Sequence, residues 1–439
     1  MRKGAVLIVV ITTAVAIAAQ INPASVAQQL SPAEQSMATA QQLIEKNPKN
    51  YEAYNALALA LSRRARETSD VKFYSQAEEA LQKSFAIAPG NSDGERIHVW
   101  LLLGKHEFAA ALAEATKLNK KMPDDVMVYG FLTDANVELG NYDAAEKACQ
   151  RMLDLRTGNL PAVTRAAYLR ELFGETDGAL ELMNMAFQST SPAQAEDGAW
   201  ILTQMAHLYL STGNLDKSEK LSRQALAMFP GYHYALGNLA KVRIQQKRYG
   251  EAVSLLQQRY QAAPHAENLY DLAEALQLDG KTDEAKKAFA EFEQKSLAET
   301  KRADNSNHEL IFYYTDYTNQ PAKELEVASR EIARRHDVFT LDAYAWTLYG
   351  NGQYAEARKQ IETALAVGIR DAKIFRHAGE IALKAGDKPA AERYLREAVQ
   401  LNTLGSEQAE ITLADHCLLS SEAALYVPGS GPGLLQSSE

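Results

Sequence analysis

The sequence predicts an all-α protein, an α-solenoid of stacked helical hairpins. Three observations carry this. A short turn recurs at nearly constant spacing from residue 104 to residue 386. Each turn is flanked by stretches of helical apolar spacing. Small residues recur at fixed distances on either side of each turn. Composition agrees with a folded chain: 46% hydrophobic and 23% charged residues, with a net charge of −10.

The first element reads as an export signal over residues 1–27. Met1-Arg-Lys is followed by an uncharged apolar run from Gly4 to Ala19. Ala16-Ile-Ala18 and Ser25-Val-Ala27 both offer small-x-small cleavage sites. The run is shorter than the roughly 20 residues that span a bilayer. The expectation is cleavage and a periplasmic or secreted location, with membrane contact only if the signal stays uncleaved. Without Arg2 and Lys3 the charge falls to −12.

Residues 31–46 read as an unpaired second helix, a half repeat. The turns follow. Leu139-Gly-Asn-Tyr-Asp-Ala-Ala145 recurs as Phe173-Gly-Glu-Thr-Asp-Gly-Ala179, Thr212-Gly-Asn-Leu-Asp-Lys-Ser218 and Gln246-Lys-Arg-Tyr-Gly-Glu-Ala252. Further copies begin at Asp279, Asn351 and Ala385, and an earlier one is Leu103-Gly-Lys-His-Glu-Phe-Ala109. With Asn319-Gln-Pro, the turn positions are 104, 140, 174, 213, 247, 280, 319, 352 and 386. Their gaps are 36, 34, 39, 34, 33, 39, 33 and 34. A glycine lets the first helix end in a left-handed conformation. A small residue five positions later, such as Ala145 or Ala285, lets paired helices approach closely. Prolines at 48, 89, 123, 161, 230 and 264 mark unit ends. A hairpin of this kind is stable only when stacked on neighbours.

These turns, small residues and late prolines resemble the tetratricopeptide repeat family over residues 31–402, about ten repeats plus the half repeat. The resemblance implies a right-handed superhelix with a concave groove lined by the first helix of each unit. There are departures. The Arg63–Phe73 stretch reads as an insertion between two helices. Glu324 stands where a small residue belongs. The two gaps of 39 are expected to reflect a loop at Ser189–Asp197 and the polar stretch Lys301–His308. Residues 403–418 are expected to cap the array, and residues 419–439 to be disordered.

Six residues before each turn, the groove positions read as His98, Asp134, Tyr168, His207, Lys241, Glu274, Tyr313, Trp346 and Glu380. One helical turn earlier lie Tyr270, Glu309, Asp342 and Arg376. The expected partner-binding residues are Tyr168, His207, Tyr270, Tyr313, Tyr317, Asp342, Trp346 and Tyr349. Flat rings with a polar edge anchor an extended protein or peptide segment. The densest patch joins Tyr313, Tyr317, Trp346, Tyr349 and Asp342, and replacing Tyr313 and Trp346 by Ala is expected to abolish capture while sparing helicity. The Lys, Asn and Arg set that some members use to grip a C-terminal carboxylate is missing.

Function is expected to be scaffolding in an envelope or secretion complex. The alternative is an aromatic patch that stacks on sugar rings of a polysaccharide. The acidic balance argues against nucleic acid. No phosphate loop, nucleophile elbow or paired-histidine metal motif is present, so no enzyme activity, cofactor or metal is expected. Arg330, Arg334, Arg335 and His336 read as charge facing the negative end of a helix dipole. Cys149 reads as a buried apolar residue, too far along the array to pair with Cys417.

Overall fold

The computed structural model describes residues 30–68, 70–191, 194–300, 305, 307–401 and 406–416. The expected signal, Cys417 and the 419–439 tail lie outside these residues. Among the described residues there are 22 α-helices, one π-helical turn and no strand.

Helix α1 (Pro32–Lys46) packs on α2 (Tyr51–Thr68), which pairs with α3 (Lys72–Ile87) as the first of ten hairpins. The next are α4 (Ser92–Gly104) with α5 (Phe108–Lys121), α6 (Val126–Glu138) with α7 (Tyr142–Leu155), and α8 (Leu160–Leu172) with α9 (Thr176–Ser189). Then come α10 (Ala195–Ser211) with α11 (Leu215–Met228), α12 (His233–Gln245) with α13 (Tyr249–Ala262), and α14 (Ala266–Leu278) with α15 (Thr282–Glu299). Helix α16 (Asn307–Phe312) runs into the π-helical turn Tyr313–Thr318 and pairs with α17 (Pro321–Ile332). The last two hairpins are α18 (Val338–Gly350) with α19 (Tyr354–Leu365) and α20 (Ala372–Lys384) with α21 (Lys388–Gln400). Helix α22 (Ser406–Asp415) lays Ala409 and Leu413 over the apolar face of the final hairpin.

Local chemistry sets these boundaries. Asp125, Asn159 and Asp371 each accept hydrogen bonds from first-turn N–H groups, which caps α6, α8 and α20. Gly140, Gly174, Gly213, Gly280, Gly352 and Gly386 take positive φ at the hairpin turns, as do Lys247 and Asn319. In the α4–α5 hairpin the left-handed residue is His106 (φ 60) and not Gly104. The repeat there is displaced by two, and its gap to Gly140 becomes 34, equal to its neighbours. Gly104 answers a different need: a Cβ on it would lie 2.8 Å from the Tyr74 ring. The alanines five residues after the turns are fully buried between paired helices.

Added helix accounts for part of the longer gaps, while residues 301–304 and 306 of the second expected stretch lie outside the described residues. Ala195–Asp197 already belongs to α10, which has 17 residues, and α15 has 18. Arg63–Thr68 likewise continues α2. The extra turns carry side chains that other parts of the chain use, as described below.

Glu324 sits at the tight α17–α18 approach, 1% exposed, with Oε1 lacking a hydrogen-bond partner. Its other carboxyl oxygen lies where a Cβ on Gly350 would touch it at 3.4 Å. Burial pushes its pKa up to about 7. A carboxyl raised in the fold above its unfolded value stabilises the fold at low pH, and that contribution is lost as pH rises through about 7. Glu324→Gln is therefore expected to raise the urea midpoint at pH 8 and to change it little at pH 5. Equal shifts at both pH values would contradict this.

Successive coils of the superhelix touch. Arg335, after α17, pairs with Glu138 at the end of α6, and its guanidinium lies 5.3 Å from the Phe108 ring centroid. The His336 N–H donates to the Glu138 carbonyl at 2.9 Å, and the Val338 N–H donates to the Tyr142 hydroxyl at 3.0 Å. One apolar core runs across the seam from Val137, Leu169 and Leu172 to Leu341, Leu348, Ile369 and Ile374. Gly174 and Gly368 meet backbone to backbone. At a second seam, Arg66 on the extended α2 pairs with Glu196 and Asp197 on the extended α10. The Arg335 charge thus clasps two coils, where the sequence suggested a helix end.

Candidate partner-binding interior

The first helices of the hairpins face inward and enclose two chambers. In three successive hairpins the inward positions recur thirteen, nine and six residues before the left-handed turn residue. In α6 they are Met127, Phe131 and Asp134; in α8, Pro161, Arg165 and Tyr168; in α10, Trp200, Gln204 and His207. This spacing selects one helical face.

The first chamber, about 700 Å³, is lined by Trp100, Met127, Phe131, Tyr168, Met183 and Trp200 among others. Trp100 occupies the position that the sequence reading gave to His98, because the true turn residue is His106. His98 instead points its Nδ1 at Glu114, 2.8 Å away. The chamber's acids are held by arginines. Asp134 accepts two hydrogen bonds from Arg165, at 2.7 and 2.5 Å, while Glu138 and Asp197 meet Arg335 and Arg66.

The second chamber, about 670 Å³, lies between α10 and α20 and carries more charge: Lys241, Asp271, Glu274, Asp316, Lys373 and Arg376. His207 and Tyr317 line it. His207 Nε2 lies 2.9 Å from Glu171, and the Tyr317 hydroxyl donates to Glu274 at 3.0 Å. Burial raises the Glu274 carboxyl above the usual range.

The structure separates the other expected site residues from this surface. Tyr270 and Asp342 lie ten residues before their turns and are 5% and 4% exposed. In α14 the chamber-facing residue is one further on, Asp271, whereas in α20 Arg376, itself ten residues before Gly386, lines the chamber. The π-helical turn then divides the expected aromatic patch. Tyr313 and Tyr317 join Tyr270, Phe289 and Phe292 in one ring cluster, with Phe289 stacked 5.3 Å from Tyr313. Trp346 is sandwiched between Tyr349 and His377, at 4.6 and 4.0 Å, and its Nε1–H donates to Asp316 at 3.0 Å. His377 in turn places Nδ1 2.7 Å from Asp342, and burial lowers its pKa. Tyr313 and Trp346 are 8% and 5% exposed, so their joint removal is expected to cost stability as well as any capture. Large-to-small changes of such rings cost about 3–5 kcal/mol each. With its two faces covered, Trp346 also has no face to offer a sugar ring.

Among the described residues no group of three or more His, Cys, Asp or Glu side chains could hold a metal ion. None of the described helices is long and apolar enough to cross a membrane. Cys149 is buried, and its thiol is pushed up to about 11 by burial.

Inward first helices, outward second helices and an enclosed axis define a helical-hairpin repeat solenoid, a scaffold for protein–protein interaction. Three family models, each described as tetratricopeptide repeat, match residues 39–82, 98–159, 197–265 and 344–405, together more than half of the chain. The chain belongs to the tetratricopeptide repeat family. None of the curated proteins matches it by sequence. Among solved structures it is similar to PilW, described as a widely conserved type IV pilus biogenesis factor, at 13% identity over 47% of this chain and 94% of that one, with a TM-score of 0.40. It is similar to yeast Tom70 at 14% identity over 88% of this chain and 95% of that one, TM-score 0.40. It is also similar to the human IFIT1 dimer with m7Gppp-AAAA at 14% identity, over 84% and 85%, TM-score 0.49.

Proposed function

We propose that this protein is an exported scaffold that holds an extended segment of another protein within its coiled interior, at a periplasmic or secreted location. The observation that carries the reading is the pair of chambers built from the same repeat positions in successive hairpins. A partner segment running along the axis would meet one first helix after another, which suits an extended chain. The charge-balanced lining and the acidic chain favour a protein segment over nucleic acid. Assembly of an envelope or secretion complex is the setting that an export signal and a scaffold together suggest. No catalytic step is assigned.

Affinity capture from envelope extracts tests this. The full chain is expected to retain a defined protein, and a Tyr168→Ala, His207→Ala, Tyr317→Ala variant to lose it while circular dichroism stays unchanged. These three side chains are the expected site residues that reach the chambers, and none is in the buried core. Retention of polysaccharide in place of protein, or capture indifferent to the triple change, would contradict the reading. Sequencing the N-terminus of the mature protein tests export: it should begin after Ala18 or Ala27.

A further inference from the structure

The two chambers differ in what they leave unsatisfied, and the first is the more distinctive. Its walls carry Trp100, Met127, Phe131, Tyr168, Met183 and Trp200. Its three carboxylates are each held by an arginine: Asp134 by Arg165, Glu138 by Arg335 and Asp197 by Arg66. No charge on this wall waits for a counter-charge from outside.

Resting on the scaffold reading above, we infer that the first chamber is a receptor for uncharged, apolar side chains of the bound segment, leucine, methionine or phenylalanine in character. The physical case is one of matching. An apolar side chain loses water on entering and gains ring and thioether contacts, with a contribution that scales with buried area. A lysine or glutamate would have to be desolvated beside ion pairs already made, with no free partner, which is strongly unfavourable. Two rigid tryptophans on opposing hairpins, α4 and α10, give the occupant flat surfaces without rotamer disorder. The volume of about 700 Å³ exceeds any single side chain, so the chamber takes several adjacent residues of a segment.

Two of the three tryptophans line this chamber, so its occupancy is readable by intrinsic fluorescence. The test titrates the full chain with three blocked peptides of equal length: one of leucine, phenylalanine and serine, one with glutamate replacing two apolar residues, and one with lysine there. The neutral peptide is expected to change the emission and to bind at least about tenfold more tightly than either charged one. Its affinity should be the same at low and high salt, since no free charges are involved. Met127→Glu, at a position 37% exposed and therefore harmless to folding, should weaken the neutral peptide about tenfold or more. Trp100→Ala should do the same. Tighter binding of a charged peptide, salt-sensitive binding, or neutral binding unchanged by Met127→Glu would overturn the inference and leave the scaffold reading standing. Binding of none of the three, together with empty capture from envelope extracts, would overturn both.

Discussion

Gly174→Ala is expected to destabilise the protein by about 3 kcal/mol, while Gly280→Ala, at the same repeat position, costs about 1 kcal/mol. Both glycines have left-handed backbone, with φ of 78° and 75°. An alanine at either pays the same conformational penalty. The surroundings differ. A Cβ on Gly280 meets nothing within 4 Å, whereas one on Gly174 would lie 2.5 Å from the Gly368 carbonyl oxygen. That oxygen belongs to the next coil, and Gly368 in turn approaches the Phe173 carbonyl, where its own Cβ would be 2.8 Å away. Neither backbone can yield without parting the seam. Urea unfolding of both variants measures the difference, and small-angle scattering should show Gly174→Ala expanded. Equal costs would mean that the coils do not touch in solution. Because a solenoid can unfold in sections, the comparison is between midpoints of the same probe.

Arg335→Met should cost about 3 kcal/mol or more. The substitution keeps an unbranched apolar stem against Phe108 but removes the charge that faces Glu138 and Asp337. Asp337 retains the Phe339 and Thr340 N–H groups that it caps. Glu138, half-buried on the chamber wall, loses its counter-charge, and part of the cost arises there. Adding Glu138→Gln should therefore recover part of the loss, a coupling that thermal unfolding of the double-mutant cycle would reveal. Strict additivity of the two changes would show that the pair is not formed.

Much of the fold was legible because its determinants are local. A left-handed glycine, a small residue five positions on and helical apolar spacing each act within one hairpin, and the period repeats them. The misreadings share a cause. Gly104 looked like a turn glycine because glycine usually fills that role; here His106 takes the left-handed conformation and Gly104 makes room for Tyr74. That displacement of two hid Trp100 from the groove register. Tyr270 and Asp342 were placed on the inner face by a spacing of four; that spacing holds for Arg376 in α20, but in α14 the chamber follows a spacing of three, to Asp271. A single helix cannot reveal which of these neighbours turns inward, since the packing of adjacent hairpins decides it. The clasp was beyond local reading altogether. Arg335 and Glu138 are almost 200 residues apart, and no periodicity links them. The extra turns of α2 and α10 did leave a sequence signal, the spacing anomalies, but its meaning depended on knowing that Arg66 and Glu196 would face each other.

The coil-to-coil seam is the feature on which the enclosed interior depends, and cross-linking reads it directly. Ala144 and Ala366 are exposed, lie on opposite coils and line one cleft at the seam. In a chain with Cys149→Ala and Cys417→Ser, cysteines at 144 and 366 should be joined within one molecule by a short bifunctional reagent, at high dilution and in high yield. The same reagent should fail after Gly174→Ala has parted the coils. A wild-type seam that gives no intramolecular link under these conditions would mean an open spring with no chambers.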